Sequence, residues 1–160
     1  MKNKYVKDYM TTPVITVDSS TTISEAIKIL KKYNIGFLPI TKNNTIVGVV
    51  TDRDILVRAI GTYKLNSKIE KIMTDEIEFV NPTTPLKEAA KTMSDKKIRR
   101  LVVINDGKPV GVLTSKNLIR EQELLPYIIS TYETAPTFKE YIIYSNSNPH
   151  DSIKASDYPL

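Results

Sequence analysis

Sliding the sequence by 63 positions lays residues 10–56 over residues 73–119 without a gap, and 13 of the 47 superposed positions are identical. Self-similarity at a fixed offset constrains architecture more than any other feature of the chain, because two copies of one unit fold alike and can cover each other's apolar faces. Met10-Thr11 falls on Met73-Thr74, Val17 on Val80, Thr21 on Thr84, Glu25-Ala26 on Glu88-Ala89 and Lys28 on Lys91. Ile35 then meets Ile98, Leu38 meets Leu101, Val47-Gly48-Val49 meets Val110-Gly111-Val112, and Thr51 meets Thr114. Most differences keep polarity, so duplication is the economical explanation.

Each copy has the same local grammar. Ile23, Ala26, Ile27 and Leu30 recur at helical spacing, as do Leu86, Ala89, Ala90 and Met93, which predicts one amphipathic helix per copy. Thr22 with Glu25 has capping-box spacing, and Thr84-Pro85 reads as a cap followed by proline at the first helical position. A short apolar strand precedes each helix, near Val14–Val17 and Ile77–Val80. Two more follow it as a hairpin, Phe37–Ile40 with Ile46–Val50 and Leu101–Ile104 with Val110–Leu113. A second helix begins near Asp52 and near Ser115, so the unit is β-α-β-β-α. A three-stranded sheet of this size cannot bury both faces alone. The expected fold class is α+β, with two repeats joined by residues 61–68 and packed sheet to sheet with pseudo-twofold symmetry, plus a C-terminal extension.

Composition narrows the chemistry. Hydrophobic residues are 41% and charged residues 26% of 160, a globular balance. Cys is absent, which removes disulfides, thiolate metal sites and a Cys nucleophile, and the single His, His150, lies in a polar tail. A multi-His metal site is therefore impossible, and neither a metal centre nor a set of catalytic residues is expected. No apolar run approaches the roughly 20 residues of a membrane span, and MKNKYVKDYM has no apolar core behind its charges. The expected location is the cytoplasm, with no membrane partner. Residues 1–120 carry 21 Lys and Arg against 12 Asp and Glu, and residues 121–160 carry 2 against 6. A basic body favours anionic partners without naming one.

Two β-α-β-β-α copies, each opening with Met-Thr and carrying Gly48-Val49-Val50-Thr51 or Gly111-Val112-Leu113-Thr114 at the end of the hairpin, resemble a tandem pair of CBS domains, the Bateman module. The resemblance covers about residues 6–122, with repeats at 6–62 and 69–122 and an extension at 123–160. It implies a regulatory role without catalysis: binding of an adenine-containing ligand (AMP, ADP, ATP or S-adenosylmethionine) in clefts between the copies. It also implies a disk-like homodimer.

Thr51 and Asp54 stand three apart where a strand ends and a helix begins. That is the spacing of a cap and its N3 carboxylate, and also a place where unpaired N–H groups favour an anion. The resemblance implies that Thr51 contacts the nucleoside and that Asp54 accepts from both ribose hydroxyls, work that suits an acceptor-only group. It brings Arg99 and Arg100 of the second copy to the same site for phosphate, with Lys116 approaching it. Val49, Ile77, Ile98 and Val102 line the adenine, and backbone around Ile77 and Glu78 reads its edge. A second, weaker site would combine Thr114 and Asn117 with Val14, Ile15, Ile35, Phe37 and Pro39. There Asn117 replaces the ribose Asp and Gly36-Phe37 stands where Arg99-Arg100 would be, so one anionic-nucleotide site is expected per chain.

The match leaves residues 123–160 unexplained. Leu124, Leu125, Ile128 and Ile129 extend the last helix or, given Pro126, start a new one. Tyr132, Phe138, Tyr141, Ile142, Ile143 and Tyr144 form an aromatic-aliphatic patch that docks on the module, a second subunit or another protein. The polar end is expected to be disordered. Two other classes stay open: a nucleic-acid-binding or scaffold protein using the basic body, and an enzyme with a metal on Asp52 and Asp54, although paired Asp at a helix start commonly serve as caps.

Overall fold

Helix α1 (Ile23–Tyr33) starts where Thr22 takes the Glu25 amide on its hydroxyl while the Glu25 carboxylate returns to the Thr22 amide at 2.9 Å, the reciprocal cap expected from the sequence. It ends at Asn34 in the left-handed region, φ 51°. Between these stops Ile23, Ala26 and Leu30 are buried. The computed structural model describes residues 4–132. His150 and the apolar residues Phe138 to Tyr144 lie outside the described residues, as does the polar end.

The first repeat builds a sheet in the order β1 (Val17–Asp18), β2 (Phe37–Lys42), β3 (Thr45–Thr51), with β1 parallel and β3 antiparallel to β2. A short helix α2 (Asp52–Asp54) follows and continues as a π-helical turn over Ile55–Ala59. The second repeat copies this with β4 (Phe79–Val80), α3 (Leu86–Lys96), β5 (Arg100–Asn105), β6 (Lys108–Thr114) and α4 (Ser115–Leu118). Strands β3 and β6 meet across the pseudo-twofold axis, so the two sheets face each other as expected. Each sheet and its helix enclose a separate apolar core.

What the repeat alone did not disclose is an exchange of leaders. Val6 belongs to the core of the second repeat, with Leu86, Leu101 and Leu113, whereas Ile69 and Ile72 belong to the core of the first. Met-Thr explains why. The Thr11 amide donates to the Val112 carbonyl at 2.9 Å, and the Val49 amide donates to the Thr74 carbonyl at 2.9 Å, one antiparallel bridge in each direction. A Cβ on Gly48 would stand 2.5 Å from Met73 Sδ, and one on Gly111 would stand 2.7 Å from Met10 Sδ. The recurring Met-Thr and Val-Gly-Val are thus two halves of one contact, made twice between repeats. Because each leader leaves for the other repeat, β1 and β4 are only two residues long, shorter than expected.

Two other expectations change. Pro85, not Thr84, caps α3: its carbonyl accepts the Glu88 amide at 3.0 Å, while the Thr84 hydroxyl accepts the Asn81 amide at 3.1 Å. The extension does not prolong α4. A 3-10 turn at Gln122–Leu124 leads into a new helix α5 (Leu125–Ser130) with Pro126 in its first turn, where its missing N–H costs nothing. Leu124 and Ile128 sink into the second repeat's core, so this part of the extension docks on its own module. Among the described residues no helix is long and apolar enough to cross a membrane.

Candidate functional site

The exchanged leader carries Thr74 alongside β3 and then runs into β4, so side chains of both repeats meet at one edge. They enclose a cleft of about 300 Å³. Repeat one supplies Phe37, Val49, Thr51 and Asp54; repeat two supplies Thr74, Glu76, Ile77, Glu78, Lys97, Ile98, Arg99, Arg100 and Val102. The structure therefore brings Thr51, Asp54, Arg99, Arg100, Val49, Ile77, Glu78, Ile98 and Val102 together. Lys116 is exposed on α4 and is not among the lining residues.

Asp54 is placed by its own cap. Its Oδ2 accepts the Thr51 amide and the Thr51 hydroxyl, both at 2.8 Å, while its amide donates back to Thr51 Oγ1 at 3.0 Å. Its Oδ1 stands 3.5 Å from Arg58 Nε. Arg58 in turn donates to the Ile72 carbonyl at 3.2 Å and to Thr74 Oγ1 at 3.1 Å, locking the strand end of one repeat to the leader of the other. The cap and ligand readings of Thr51 and Asp54 are therefore compatible, because the cap uses one carboxylate oxygen and fixes the other.

Asn117 keeps the cap and changes the chemistry. Its Oδ1 accepts the Thr114 amide and hydroxyl, both at 2.8 Å. A backbone N–H can only donate, so the oxygen must face it and the NH₂ takes the place that Asp54 gives to Oδ1. An acceptor has become a donor.

The cationic edge is asymmetric between the repeats. A Cβ on Gly36 would stand 2.7 Å from Asp52 Oδ2, so a side chain there would require the exposed Asp52 carboxylate to swing aside. At the matching place in repeat two, the smaller Ser115 stands where repeat one has Asp52, and its amide donates to the Arg99 carbonyl at 2.9 Å. The Arg99 guanidinium lies 4.9 Å from the centre of the Tyr132 ring, and that of Arg100 lies 5.8 Å from the centre of the Phe37 ring. Phe37, expected in the second cleft, thus lines the first. Among the described residues, Lys97, Arg99 and Arg100 have no carboxylate within ion-pair distance. Glu78 is engaged by Lys96 at 2.9 Å and holds that ammonium above its ordinary value.

Of the second-site residues, Val14, Ile15, Ile35, Thr114 and Asn117 are half-buried and Pro39 is buried. Sequence reasoning missed Glu76, Thr74 and Lys97 in the first cleft. Lys97 had a weak signal: it superposes on Asn34, and both hold the left-handed helix end, φ 54° for Lys97. A larger cavity of about 730 Å³ opens outside repeat two between Lys4, α3 and the 3-10 turn at Gln122–Leu124. It lies off the inter-repeat junction, and its Lys4 is already paired with Glu121 and Glu123.

A family model for the CBS domain matches residues 6–61 and again residues 69–123. The chain is 33% identical over 118 residues to the CBS domain-containing protein YhcV of Bacillus subtilis, covering 73% of this chain and 84% of that protein. It is similar to the CBS domain pair of protein MJ0100, solved in complex with 5′-methylthioadenosine and S-adenosyl-L-methionine. There the TM-score is 0.65 and the identity 33%, over 74% of this chain and 94% of that one. It is also similar to the CBS domain protein PAE2072 of Pyrobaculum aerophilum, solved in complex with AMP, with TM-score 0.69 and 27% identity, over 79% and 99% of the chains.

Proposed function

The chain belongs to the CBS domain family and carries the domain twice, and from that premise we propose that it is a non-catalytic sensor that binds one adenine nucleotide, AMP, ADP or ATP, in the cleft of Asp54. The observation that carries this reading is the convergence of a pre-positioned carboxylate from repeat one with Lys97, Arg99 and Arg100 from repeat two. Asp54 Oδ1 accepts from the ribose hydroxyls, and Thr51 adds a nucleoside contact. Val49, Ile77, Ile98 and Val102 give the adenine an apolar slot, edged by backbone near Ile77 and Glu78. The guanidinium forks take phosphate oxygens two at a time.

The adenosyl compounds held by the two solved relatives support the adenosine half of the ligand. The cationic edge favours phosphate as the other half, because three nearby cations attract a phosphate dianion and repel the net positive charge of S-adenosylmethionine. Lys116 adds long-range attraction from α4. In the cleft of Thr114 and Asn117 the outward NH₂ and the Gly36-Phe37 pair give no ribose acceptor and no phosphate fork, so that cleft is weak or takes an uncharged adenosine derivative.

Leu56, Val57 and Ile60 after α2, and Ile119 after α4, are more than half exposed, apolar side chains that a second copy would cover in a disk-like homodimer. The working boundaries are 6–62 and 69–122 for the sensor repeats and 123–160 for the extension, in a cytoplasmic protein. A thermal-shift panel tests the ligand. The melting temperature should rise with AMP, ADP or ATP, less with adenosine and least with S-adenosylmethionine. A rise with S-adenosylmethionine alone would overturn the phosphate assignment.

A further inference from the structure

Helix α5 lies outside the duplicated unit, yet its end reaches the cationic edge of the cleft. The Lys97 ammonium donates to the Ser130 carbonyl at 3.0 Å, and the face of the Tyr132 ring carries the Arg99 guanidinium at 4.9 Å. The Tyr132 hydroxyl stands 3.3 Å from Ser115 Oγ, and the Ser115 amide fixes the Arg99 carbonyl. One end of the arm thus touches two of the three cations and the residue that sets the backbone of one of them. Thr131 between these contacts is buried, and Leu124 and Ile128 anchor the arm in the core.

These contacts orient without consuming. The Arg99 guanidinium meets the ring through a cation–π contact and makes no side-chain hydrogen bond or ion pair among the described residues, so its five N–H donors stay available to an anion. Lys97 spends one of three N–H groups on the Ser130 carbonyl. Lys97 is also held at φ 54°, a backbone region that disfavours a side chain with a Cβ and that its counterpart fills with Asn34.

We propose that Tyr132 and the Ser130 carbonyl are positioning groups that make the C-terminal arm part of the anion-binding edge, so that the cleft's preference for a phosphorylated ligand depends on a segment outside both repeats. The proposal rests on the nucleotide reading of the cleft. Linkage then makes the dependence mutual: if the docked arm strengthens anion binding, a bound anion tightens the arm by the same factor. The cleft therefore reports to α5, and α5 is where its occupancy is read.

The test compares Tyr132→Ala, Tyr132→Phe and the unaltered full chain by calorimetry with AMP, adenosine and inorganic pyrophosphate, and follows the Arg99 Nε–H resonance by NMR. Tyr132 is 51% exposed, so its truncation spares the core. Tyr132→Ala should weaken AMP and pyrophosphate by about two- to fivefold, the range of an exposed cation–π contact, and leave adenosine unchanged. It should also shift Arg99 Nε–H as the ring current is lost. Tyr132→Phe should keep the affinity, and AMP should slow hydrogen exchange in α5. Unchanged or tighter AMP binding by Tyr132→Ala, or an unmoved Arg99 resonance, overturns the proposal. Pyrophosphate binding with no nucleotide binding to the unaltered chain overturns only the nucleotide reading. If neither binds, both fall.

Discussion

Asp54→Asn separates the two tasks that the carboxylate performs, because repeat two already contains the result. In that repeat Asn117 keeps the Thr114 cap with the same two 2.8 Å contacts, so an amide at position 54 can present its oxygen to the Thr51 amide and hydroxyl. Its NH₂ then occupies the place of Oδ1. Folding loses the contact of Oδ1 with Arg58, which is 48% exposed and remains held by the Ile72 carbonyl and Thr74. Screening and exposure limit that loss to about 1 kcal/mol or less. A few degrees of melting temperature is the expected cost. Ligand binding loses far more, since ribose hydroxyls that donate to a carboxylate meet a donor instead. Hydrogen bonds to a charged partner contribute about 1.5–3 kcal/mol, so AMP affinity should fall about 10- to 150-fold. Calorimetry with AMP and 2′-deoxy-AMP, beside thermal unfolding, reads both quantities. The unaltered chain should discriminate between the two nucleotides and Asp54→Asn should not. Undiminished AMP affinity, or discrimination that survives the substitution, would refute the assignment of Oδ1 to the ribose.

Other perturbations follow from the same geometry. Replacing Arg99 and Arg100 together by Ala should weaken AMP and ATP by at least about tenfold while sparing adenosine, and equal losses would remove the phosphate argument. Gly48→Ala puts a Cβ 2.5 Å from Met73 Sδ and 3.0 Å from the Thr74 carbonyl. The inter-repeat bridge must then shift, at about 1–3 kcal/mol of stability measurable by denaturant unfolding. The Glu121 carboxyl is held below the usual carboxylate range by its hydrogen bond from Lys4 and then by that from Tyr9. The unfolded chain therefore takes up that proton more readily, and the contact is complete above the unfolded carboxylate value and lost as pH falls through the lower folded one. Melting temperature should hold from neutral pH to about 4.5 and fall below it, and Glu121→Gln should flatten that acid limb. An acid limb unchanged by the substitution would show that Glu121 is not its source.

The sequence carried the fold through the offset of 63 residues and the helical spacing of Ile23 to Leu30 and Leu86 to Met93, all local signals that tertiary packing reinforced. It did not carry the exchange of leaders, because a hydrogen bond from Thr11 to Val112 spans 101 positions and leaves no local pattern. The polar residues of the cleft were legible where a motif repeats, at Thr51 and Asp54, and where a pair of like residues breaks the repeat, at Arg99 and Arg100. Lys97 and Tyr132 were harder to see. Lys97 takes its place from a helix end, signalled only by its superposition on Asn34, and Tyr132 follows a helix outside the duplication that no repeat spacing reaches. The place of Ser115 is visible only in the structure, where its amide holds the Arg99 carbonyl and its hydroxyl meets Tyr132.

The central claim is one anionic adenine-nucleotide site per chain, and calorimetric stoichiometry tests it most directly. Titration of the full chain with AMP, ADP and ATP should give one strong site per chain for at least one of them, weakened about 10- to 150-fold by Asp54→Asn, with any second event much weaker. Two sites of equal strength would contradict the asymmetry set by Asn117 and Gly36, and no heat with any of the three would contradict the nucleotide assignment itself.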